Sequence, residues 1–198
     1  ASGHISRQSF AVQLLLAELD PRDWPAPIWD ACAGRGGKTT ALAESVSGPV
    51  WASDVSRRKI QGLRNELSRL FLSPAPCFVH DAARSDCLRR PPGAILLDVP
   101  CSGLGVLSRR PDIKHKRTPR ELERLEGIQQ NMLRSGLEAL SRGGMLIYVT
   151  CTLNPQENED LVRRFLSEAT GNVWLQRSLM PTFPGMNEFF YGAVLRKG

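Results

Sequence analysis

Two short loops carry the residues of this chain that are best suited to chemistry. One is the stretch Asp98–Gly103, in which Cys101 follows a proline, and the other is Tyr148–Thr152, which contains Cys151. A carboxylate, a proline and a thiol in a glycine-containing loop make poor core filling, so we expect these side chains to face solvent or a ligand. Each loop follows an apolar run of the kind that forms a buried strand.

Two thiols and a carboxylate around one pocket fit methylation of a cytosine at carbon-5. That carbon is a weak nucleophile until a thiolate adds to carbon-6, after which it can attack a sulfonium methyl group; covalent catalysis of this kind divides one hard step into easier ones. Asp98 is suited to stabilising charge at nitrogen-3 of the ring. From spacing alone either Cys101 or Cys151 could be the nucleophile, because DNA cytosine methyltransferases use the cysteine of a Pro-Cys motif.

The number and spacing of the cysteines predict neither disulfide bonds nor a metal site. The chain has five cysteines, an odd number without a Cys-x-x-Cys pair, which disfavours both a disulfide scaffold and a zinc site. We therefore expect no bound metal. Burial as inert small hydrophobic residues is the favoured interpretation of Cys77 and Cys87.

The elements that must position these residues alternate between strand and helix, which predicts an α/β fold with helices on both faces of a mostly parallel sheet. We predict five such strands over 28–32, 50–53, 77–80, 94–97 and 145–149. Helices are predicted over 10–19 and 38–46 and after Ser56, Thr118 and Asn154. Two late strands, 173–176 and 189–195, should form an antiparallel hairpin at the edge, giving seven strands in one domain over 1–198 with a helical lead-in at 1–25.

Polar residues end five of these predicted strands: Cys32, Asp54, Asp81, Asp98 and, just beyond the fifth, Cys151. In an open parallel sheet, ligands bind at the carboxyl ends of the strands, so these residues should meet in one crevice. The glycine-rich turn Asp30–Lys38 has neither of the usual phosphate-binding spacings, which favours a nucleoside with a non-phosphate tail over a nucleotide. The alternative is that this is a tight strand-to-helix turn that binds no ligand. Asp54 could accept hydrogen bonds from the ribose of such a nucleoside, and Asp81 could lie beside its base.

The charge balance favours a polyanionic partner. The net charge is +6, and basic residues cluster at 57–59, 89–90, 109–110 and 114–120. Such a surface attracts nucleic acid, although solvated helix faces would give the same clusters. No apolar run approaches the length of a membrane span, and the first ten residues contain no apolar signal-peptide core. We therefore expect a cytoplasmic protein, monomeric and without a membrane partner.

Three motifs in this order resemble those of the Sun/Fmu family of RNA cytosine-5 methyltransferases, over a stretch from about Gly3 to Arg196. They are Asp30–Thr39 (DACAGRGGKT), Asp98–Lys114, which begins DVPCSGLG, and Tyr148–Glu159 (YVTCTLNPQENE). The resemblance implies a Rossmann-like class I methyltransferase fold that uses S-adenosyl-L-methionine. It implies that this cofactor is bound by Cys32, Ala33, Gly34, Arg35, Gly36, Gly37, Lys38, Asp54, Asp81 and Asp98.

The resemblance also assigns the catalytic roles and the partner. It implies Cys151 as the nucleophile and Cys101 as the residue that helps to release the product. The substrate would be RNA, with ribosomal RNA ahead of transfer RNA, and we predict that Arg109, Arg110 and Lys114 contact its phosphates. Family members often carry an N-terminal RNA-binding domain, which we expect to be missing here.

Two other classes of function stay open. Gly34-Arg35 stands where the family usually has Ala-Pro, and an arginine that crowds the cofactor would fit an RNA-binding relative with little turnover. A small-molecule methyltransferase is the other, and the basic clusters argue against it.

Overall fold

The computed structural model of the protein describes residues 5–6, 8–72, 76–84 and 88–198. The expectation that Cys87 is buried and inert falls outside these residues. So do the start of the family resemblance near Gly3 and the first residues of the predicted lead-in. Cys77 is 8% exposed, which confirms that this cysteine is buried as predicted.

The described chain forms one mixed sheet of seven strands, in the order β3-β2-β1-β4-β5-β7-β6. The first five strands pair in parallel, and β7 pairs antiparallel with both β5 and β6. The predicted fold class is therefore confirmed, including the antiparallel hairpin at one edge. The strand bounds are β1 Ile28–Asp30, β2 Val50–Asp54, β3 Cys77–Val79, β4 Ala94–Asp98, β5 Met145–Thr150, β6 Val173–Leu179 and β7 Tyr191–Lys197.

Five α-helices cover the two faces of the sheet in the described residues. Their bounds are α1 Phe10–Leu19, α2 Gly37–Ser45, α3 Arg57–Arg69, α4 Pro119–Ala139 and α5 Glu159–Glu168. Alternate residues of each strand point to opposite faces, so β4 gives Ile95 and Leu97 to the core under α4 and α5, and Ala94 and Leu96 to the core under α1 and α2. None of the described helices is long and apolar enough to cross a bilayer.

Side-chain caps begin three of these helices at the predicted residues. Ser9 accepts a hydrogen bond from the backbone N–H of Val12, Ser56 from Lys59, and Thr118 from Glu121. Each cap satisfies one of the N–H groups that the first helical turn leaves without a partner. The predicted starts of α3 and α4 are thus confirmed in atomic detail.

The helix predicted to begin at Asn154 is interrupted. Residues 155–157 form a single 3-10 turn, and α5 begins only at Glu159, because Asn158 adopts a non-helical backbone (φ −114°, ψ −110°). The Asn158 side chain accepts a hydrogen bond from the Thr150 hydroxyl at 2.6 Å and donates one to the Thr152 carbonyl at 3.0 Å. These buried hydrogen bonds hold Asn158 against the end of β5 in a conformation that a continuous helix does not allow. The local sequence gives no sign of this interruption.

Gly105 joins three segments near the carboxyl ends of the central strands. Its N–H donates to the carbonyl of Cys151 at 2.9 Å, and its carbonyl accepts from the N–H of Phe189 at 2.8 Å. A β-carbon at this position would lie inside van der Waals distance of both backbones. The glycine is therefore required by close backbone approach between the two loops and the entry to β7.

We predict that Gly105→Ala lowers the free energy of unfolding by about 1–3 kcal/mol, because the added methyl group must push these backbones apart. Urea titration followed by circular dichroism measures the change. Gly127→Ala in the exposed middle of α4 is the matched control, because nothing lies within 4 Å of its β-carbon. The control should stabilise the protein by roughly 0.5–1 kcal/mol through helix propensity; equal effects of the two substitutions would contradict the role of Gly105.

Candidate active site

The carboxyl ends of β1, β2, β4 and β5 open onto a cleft of about 650 Å³, here called the strand-end cleft. Its position follows from the sheet, since parallel strands that end at one edge deliver their terminal residues to the same crevice. The predicted site residues that line the cleft are Cys32, Gly34, Asp54, Asp81, Asp98, Cys101, Arg110 and Cys151.

Asp54 is held rigidly at one side of this cleft. It is 6% exposed, and its two oxygens accept hydrogen bonds from the backbone N–H groups of Gly34 at 3.1 Å and Ser56 at 2.8 Å. Lys59 adds an ion pair at 3.2 Å. Carboxylate oxygens have further lone pairs available, so Asp54 can still accept a hydroxyl hydrogen bond.

The neighbouring wall combines apolar and polar groups. Val55, which is 64% exposed, lines the cleft together with Ala82 and Ala83. The Asp81 side chain accepts a hydrogen bond from the N–H of Ala83 at 3.0 Å, which orients the carboxylate. An apolar slot edged by a carboxylate suits a flat, hydrogen-bonding ring such as adenine.

The glycine-rich turn is divided between the cleft and the protein interior. Cys32 and Gly34 line the cleft, and Gly34 has a positive φ of 58° that lets the backbone turn beside Asp54. Ala33 is instead buried in the core beneath α3, and Gly36 packs against Leu63. These two residues shape the turn without facing the cleft.

Arg35 and Gly37 lie outside the strand-end cleft. They line a second, wider concavity of about 1120 Å³ on the other side of the turn, together with Arg58 and Arg69. Asp98, Cys101 and Cys151 do not line this concavity. Although it is larger than the strand-end cleft, we therefore do not take it as the reaction site. Because Arg35 points away from the cleft, it does not crowd a molecule bound beside Asp54.

The two thiols meet at the opposite side of the strand-end cleft. The Sγ atoms of Cys101 and Cys151 are 3.1 Å apart, and the backbone N–H of Cys151 donates to the Cys101 Sγ at 3.2 Å. The hydrogen bond from the Cys101 thiol lowers the pKa of Cys151, and the positive charge of Lys38 acts in the same direction against burial and Asp98. The same hydrogen bond, together with burial, raises the pKa of Cys101. The two shifts run in opposite directions, so ionisation is easier at Cys151 than at Cys101.

Lys38 reaches Asp98 from the start of α2. Its Nζ lies 2.6 Å from Asp98 Oδ2 and 5.4 Å from the centre of the Phe190 ring, and its side chain is 11% exposed. Burial by itself lowers the pKa of Lys38, but the negative charges of Asp98 and Asp30 outweigh it, so the pKa is raised on balance. Lys38 thus stays positively charged beside the Asp98 carboxylate. It reaches the site through this ion pair and does not itself line the strand-end cleft, as parts of the glycine-rich turn do.

A second carboxyl group lies beneath this ion pair. Asp30 is fully buried; one oxygen accepts a hydrogen bond from the Thr39 hydroxyl at 2.6 Å, and the other has no side-chain or backbone partner in the described residues. Burial raises the pKa of Asp30 to about 7, although the hydrogen bond from Thr39 opposes the shift. No set of three or more His, Cys, Asp or Glu side chains within the described ranges is arranged to hold a metal ion.

Three polar residues to which sequence reasoning assigned no role in the site support the cysteines, although Arg117 lies in the basic cluster 114–120 and Glu157 in the motif Tyr148–Glu159. Gln129, on α4, donates to the carbonyl of Pro100 at 2.9 Å, and Arg117 donates to the carbonyl of Ser102 at 2.6 Å. Glu157 is 1% exposed and accepts a hydrogen bond from the N–H of Ser102 at 2.8 Å. One signal was available: Gln129 interrupts the apolar face of its helix four residues after Leu125 and four before Leu133.

The predicted RNA contacts fall in different settings. Arg110 lines the strand-end cleft, and Lys114 is exposed in the following 3-10 turn, 111–115. Arg109 is also exposed but forms an ion pair with Glu188 at 3.0 Å. An RNA phosphate would therefore have to compete with Glu188 for Arg109, whereas Arg110 is already beside the cleft.

Comparison with known proteins identifies the family. The family model described as 16S rRNA methyltransferase RsmB/F matches residues 16–187. A probable ribosomal RNA small subunit methyltransferase B from Synechocystis is 37% identical over 174 residues, covering 85% of this chain and 38% of the relative. The corresponding protein of Yersinia enterocolitica is 33% identical over 206 residues, covering 98% and 48%.

A solved structure agrees in fold over almost the whole chain. The crystal structure of NSun6 from Pyrococcus horikoshii with SFG superimposes with a TM-score of 0.83 at 28% identity, covering 99% of this chain and 54% of that one. The chain spans less than half the length of the curated relatives it matches. The resemblance to the Sun/Fmu family is confirmed, and the chain belongs to the RsmB/F family of 16S rRNA methyltransferases, Rossmann-like enzymes that depend on S-adenosylmethionine.

Proposed function

We propose that this chain transfers a methyl group from S-adenosylmethionine to carbon-5 of a cytosine in RNA, with ribosomal RNA as the substrate and Cys151 as the nucleophile. The observation that carries the proposal is the pair of thiols 3.1 Å apart in a cleft that also contains Asp98. Cytosine-5 chemistry needs one sulfur to form a bond to the base and a second group to assist its release.

The residues of the cleft fit the cofactor. Asp54 retains lone pairs for a ribose hydroxyl, Gly34 leaves room because it has no side chain, and the slot between Val55 and the alanines beyond Asp81 suits adenine. When bound there, S-adenosylmethionine would supply the electrophilic methyl group. Cys32, also in the lining, would contact it, whereas Ala33, Gly36 and Gly37 would act only by shaping the turn and Arg35 would remain outside.

Cys151 begins the reaction as a thiolate. Its pKa is lowered because the Cys101 thiol donates a hydrogen bond to it, helped by the charge of Lys38. Addition of the Cys151 sulfur to carbon-6 of a flipped cytosine forms the S–C6 bond and moves an electron pair towards nitrogen-3. The cost of unstacking that base is a few kcal/mol and is smaller in single-stranded RNA.

Asp98 and Lys38 act together at the ring edge. A carboxylate alone would repel the charge that develops at nitrogen-3, but the Lys38 ammonium 2.6 Å from Asp98 can provide a proton through that carboxylate. After methylation the proton on carbon-5 must leave and the S–C6 bond must break. Solvent water in the open cleft takes the carbon-5 proton, the electron pair of that bond forms the double bond between carbon-5 and carbon-6, and the Cys151 sulfur leaves as a thiolate while nitrogen-3 returns its proton to Asp98. The Cys101 thiol, adjacent to the Cys151 sulfur, is placed to donate a hydrogen bond to the departing thiolate.

The alternative of an RNA-binding relative with little turnover rested on Arg35. Because that side chain lies in the second concavity, it gives no reason to expect weak cofactor binding. Isothermal titration with S-adenosylmethionine separates the two hypotheses, since a protein that only binds RNA need not bind the cofactor. Transfer RNA remains the alternative substrate, and bisulfite sequencing of total RNA with and without the protein distinguishes it.

We predict that Cys151→Ala abolishes both methylation and the covalent protein–RNA adduct, because it removes the sulfur that forms the bond to carbon-6. Cys101→Ala should still form the adduct but release it slowly, so that adduct accumulates. Transfer of a labelled methyl group to RNA and denaturing gel electrophoresis measure the two outcomes. Cys77→Ala, in the core, is the control and should retain activity. Normal methylation by Cys151→Ala would overturn the assignment, and loss of the adduct in Cys101→Ala would reverse the two roles.

We predict that Lys38→Met moves the acidic limb of the pH–rate profile to higher pH. Removing a positive charge near Cys151 raises the pKa of that thiol, so less thiolate is present at neutral pH and kcat/KM recovers only as the pH rises. Lys59→Met, which removes a cation from the Asp54 side of the same cleft, is the control and should leave the limb in place. The same shift in both variants would mean that the effect is not local to the thiols.

We predict that the double substitution of Arg110 and Lys114 by Ala weakens RNA binding and flattens its dependence on salt, by about 0.7 in the log–log slope for each phosphate that is no longer neutralised. Fluorescence anisotropy with a labelled single-stranded RNA at several salt concentrations measures this slope. The control replaces Arg22 and Arg142 by Ala; both are exposed and lie on the segments that precede β1 and β5, away from the carboxyl ends of those strands. Equal slopes in the two variants would mean that Arg110 and Lys114 are only solvated.

A further inference from the structure

Glu157 is a buried carboxylate that the reaction described above does not use. Its side chain is 1% exposed, and it accepts hydrogen bonds from Ser102 N–H at 2.8 Å, from the Gln129 amide at 2.9 Å and from the Asn154 amide at 3.3 Å. All three donors are neutral. Burying a carboxylate costs free energy, and these three hydrogen bonds are what offsets that cost.

These hydrogen bonds join the two loops that carry the cysteines. Ser102 follows Cys101 in the loop after β4, here called the first cysteine loop (99–103), and Glu157 belongs to the second cysteine loop (151–158) after β5. The Ser102 hydroxyl lies 2.6 Å from that of Thr152, the residue after Cys151. The residue that follows each cysteine in the chain thus takes part in a hydrogen bond that joins the two loops directly.

Helix α4 adds a third point of attachment. The amide nitrogen of Gln129 donates both to Glu157 and to the carbonyl of Pro100, the residue before Cys101. A single carboxylate oxygen of Glu157 thus receives one N–H from the first cysteine loop and one from the helix. This branching is possible because a carboxylate oxygen accepts more than one hydrogen bond, which no apolar side chain could reproduce.

We propose that Glu157 is a positioning residue that holds the two cysteine loops together and so sets the separation of the Cys101 and Cys151 sulfurs. The proposal rests on the proposed function for its catalytic consequence, but the geometry of the thiols can be tested without any substrate. If the loops separate, the Cys101 thiol no longer donates to Cys151, and the Cys151 thiolate becomes less favourable. The cofactor side of the cleft, built from residues after β1 and β2, should be unaffected.

The test compares Glu157→Ala, Glu157→Asp and Glu157→Gln in the otherwise intact protein. Alkylation of Cys151 by iodoacetamide is followed across pH by mass spectrometry of the peptide that contains it, and kcat and KM for RNA methylation are measured in parallel. Trp24→Phe is the control, because it also removes a buried hydrogen bond, from Trp24 Nε1 to the Leu19 carbonyl at 3.1 Å, but in the segment before β1, at the other end of the strands from the cysteine loops. Thermal unfolding is recorded for every variant.

In Glu157→Ala we expect the alkylation midpoint of Cys151 to move to higher pH and kcat to fall by about 100-fold, the loss that a misplacement of order 1 Å causes, with little change in KM. Glu157→Asp, whose carboxylate is withdrawn by one methylene, should shift in the same direction. Glu157→Gln keeps a carbonyl oxygen for Ser102 and Gln129 and should recover most of kcat. Binding of S-adenosylmethionine should not change.

The proposal is overturned if the folded variants lose thermal stability while both the alkylation profile and kcat stay as in the unmodified protein, because the residue would then be only structural. It is also overturned if Trp24→Phe produces the same shift. Should Glu157→Ala fail to fold, Glu157→Asp and Glu157→Gln decide the question. A lack of RNA methylation by the unmodified protein would defeat the proposed function, whereas the alkylation profile would still report the coupling.

Discussion

The parallel pairing of β4 with β5 is the constraint on which the site depends. Their register places Leu97 beside Tyr148 and Asp98 beside Val149, so the chain leaves both strands at the same level of the sheet. Cys101 follows three residues after Asp98, and Cys151 follows two after Val149. A shift of this register by one residue would turn the strand-end side chains to the opposite face, and the two sulfurs would no longer be 3.1 Å apart.

Charge is distributed unequally over this pair. Lys38 and the hydrogen bond from Cys101 favour the thiolate of Cys151, whereas burial and that same hydrogen bond keep the proton on Cys101. Asp98 opposes ionisation of Cys151 but also holds Lys38 in place. The pKa values of two chemically identical side chains are thus shifted in opposite directions by their neighbours, which is what the proposed nucleophile and its assistant require.

Much of the fold follows from local patterns. Alternation of apolar runs with amphipathic segments predicted the parallel strands, and Ser56 and Thr118 predicted the starts of α3 and α4, because a capping hydroxyl acts within its own helical turn. Asn158 was not predictable in this way: it interrupts the last helix because its amide bonds to Thr150 and Thr152, which reach it only after β5 has taken its place in the sheet.

The residue types in the motifs, together with the family resemblance, were sufficient to name Cys101, Cys151, Asp54 and Asp98, since these side chains stand directly after predicted strands. The tertiary structure decided their partners. Lys38 pairs with Asp98 because β1 and β4 are neighbours in the sheet, and Glu157 meets Ser102 because the two cysteine loops leave adjacent strands. Arg35 faces away from the cleft because the turn bends at Gly34 and Gly36. A linear pattern records which groups are available, whereas strand order and loop direction determine which of them touch, because those contacts join residues up to 60 positions apart.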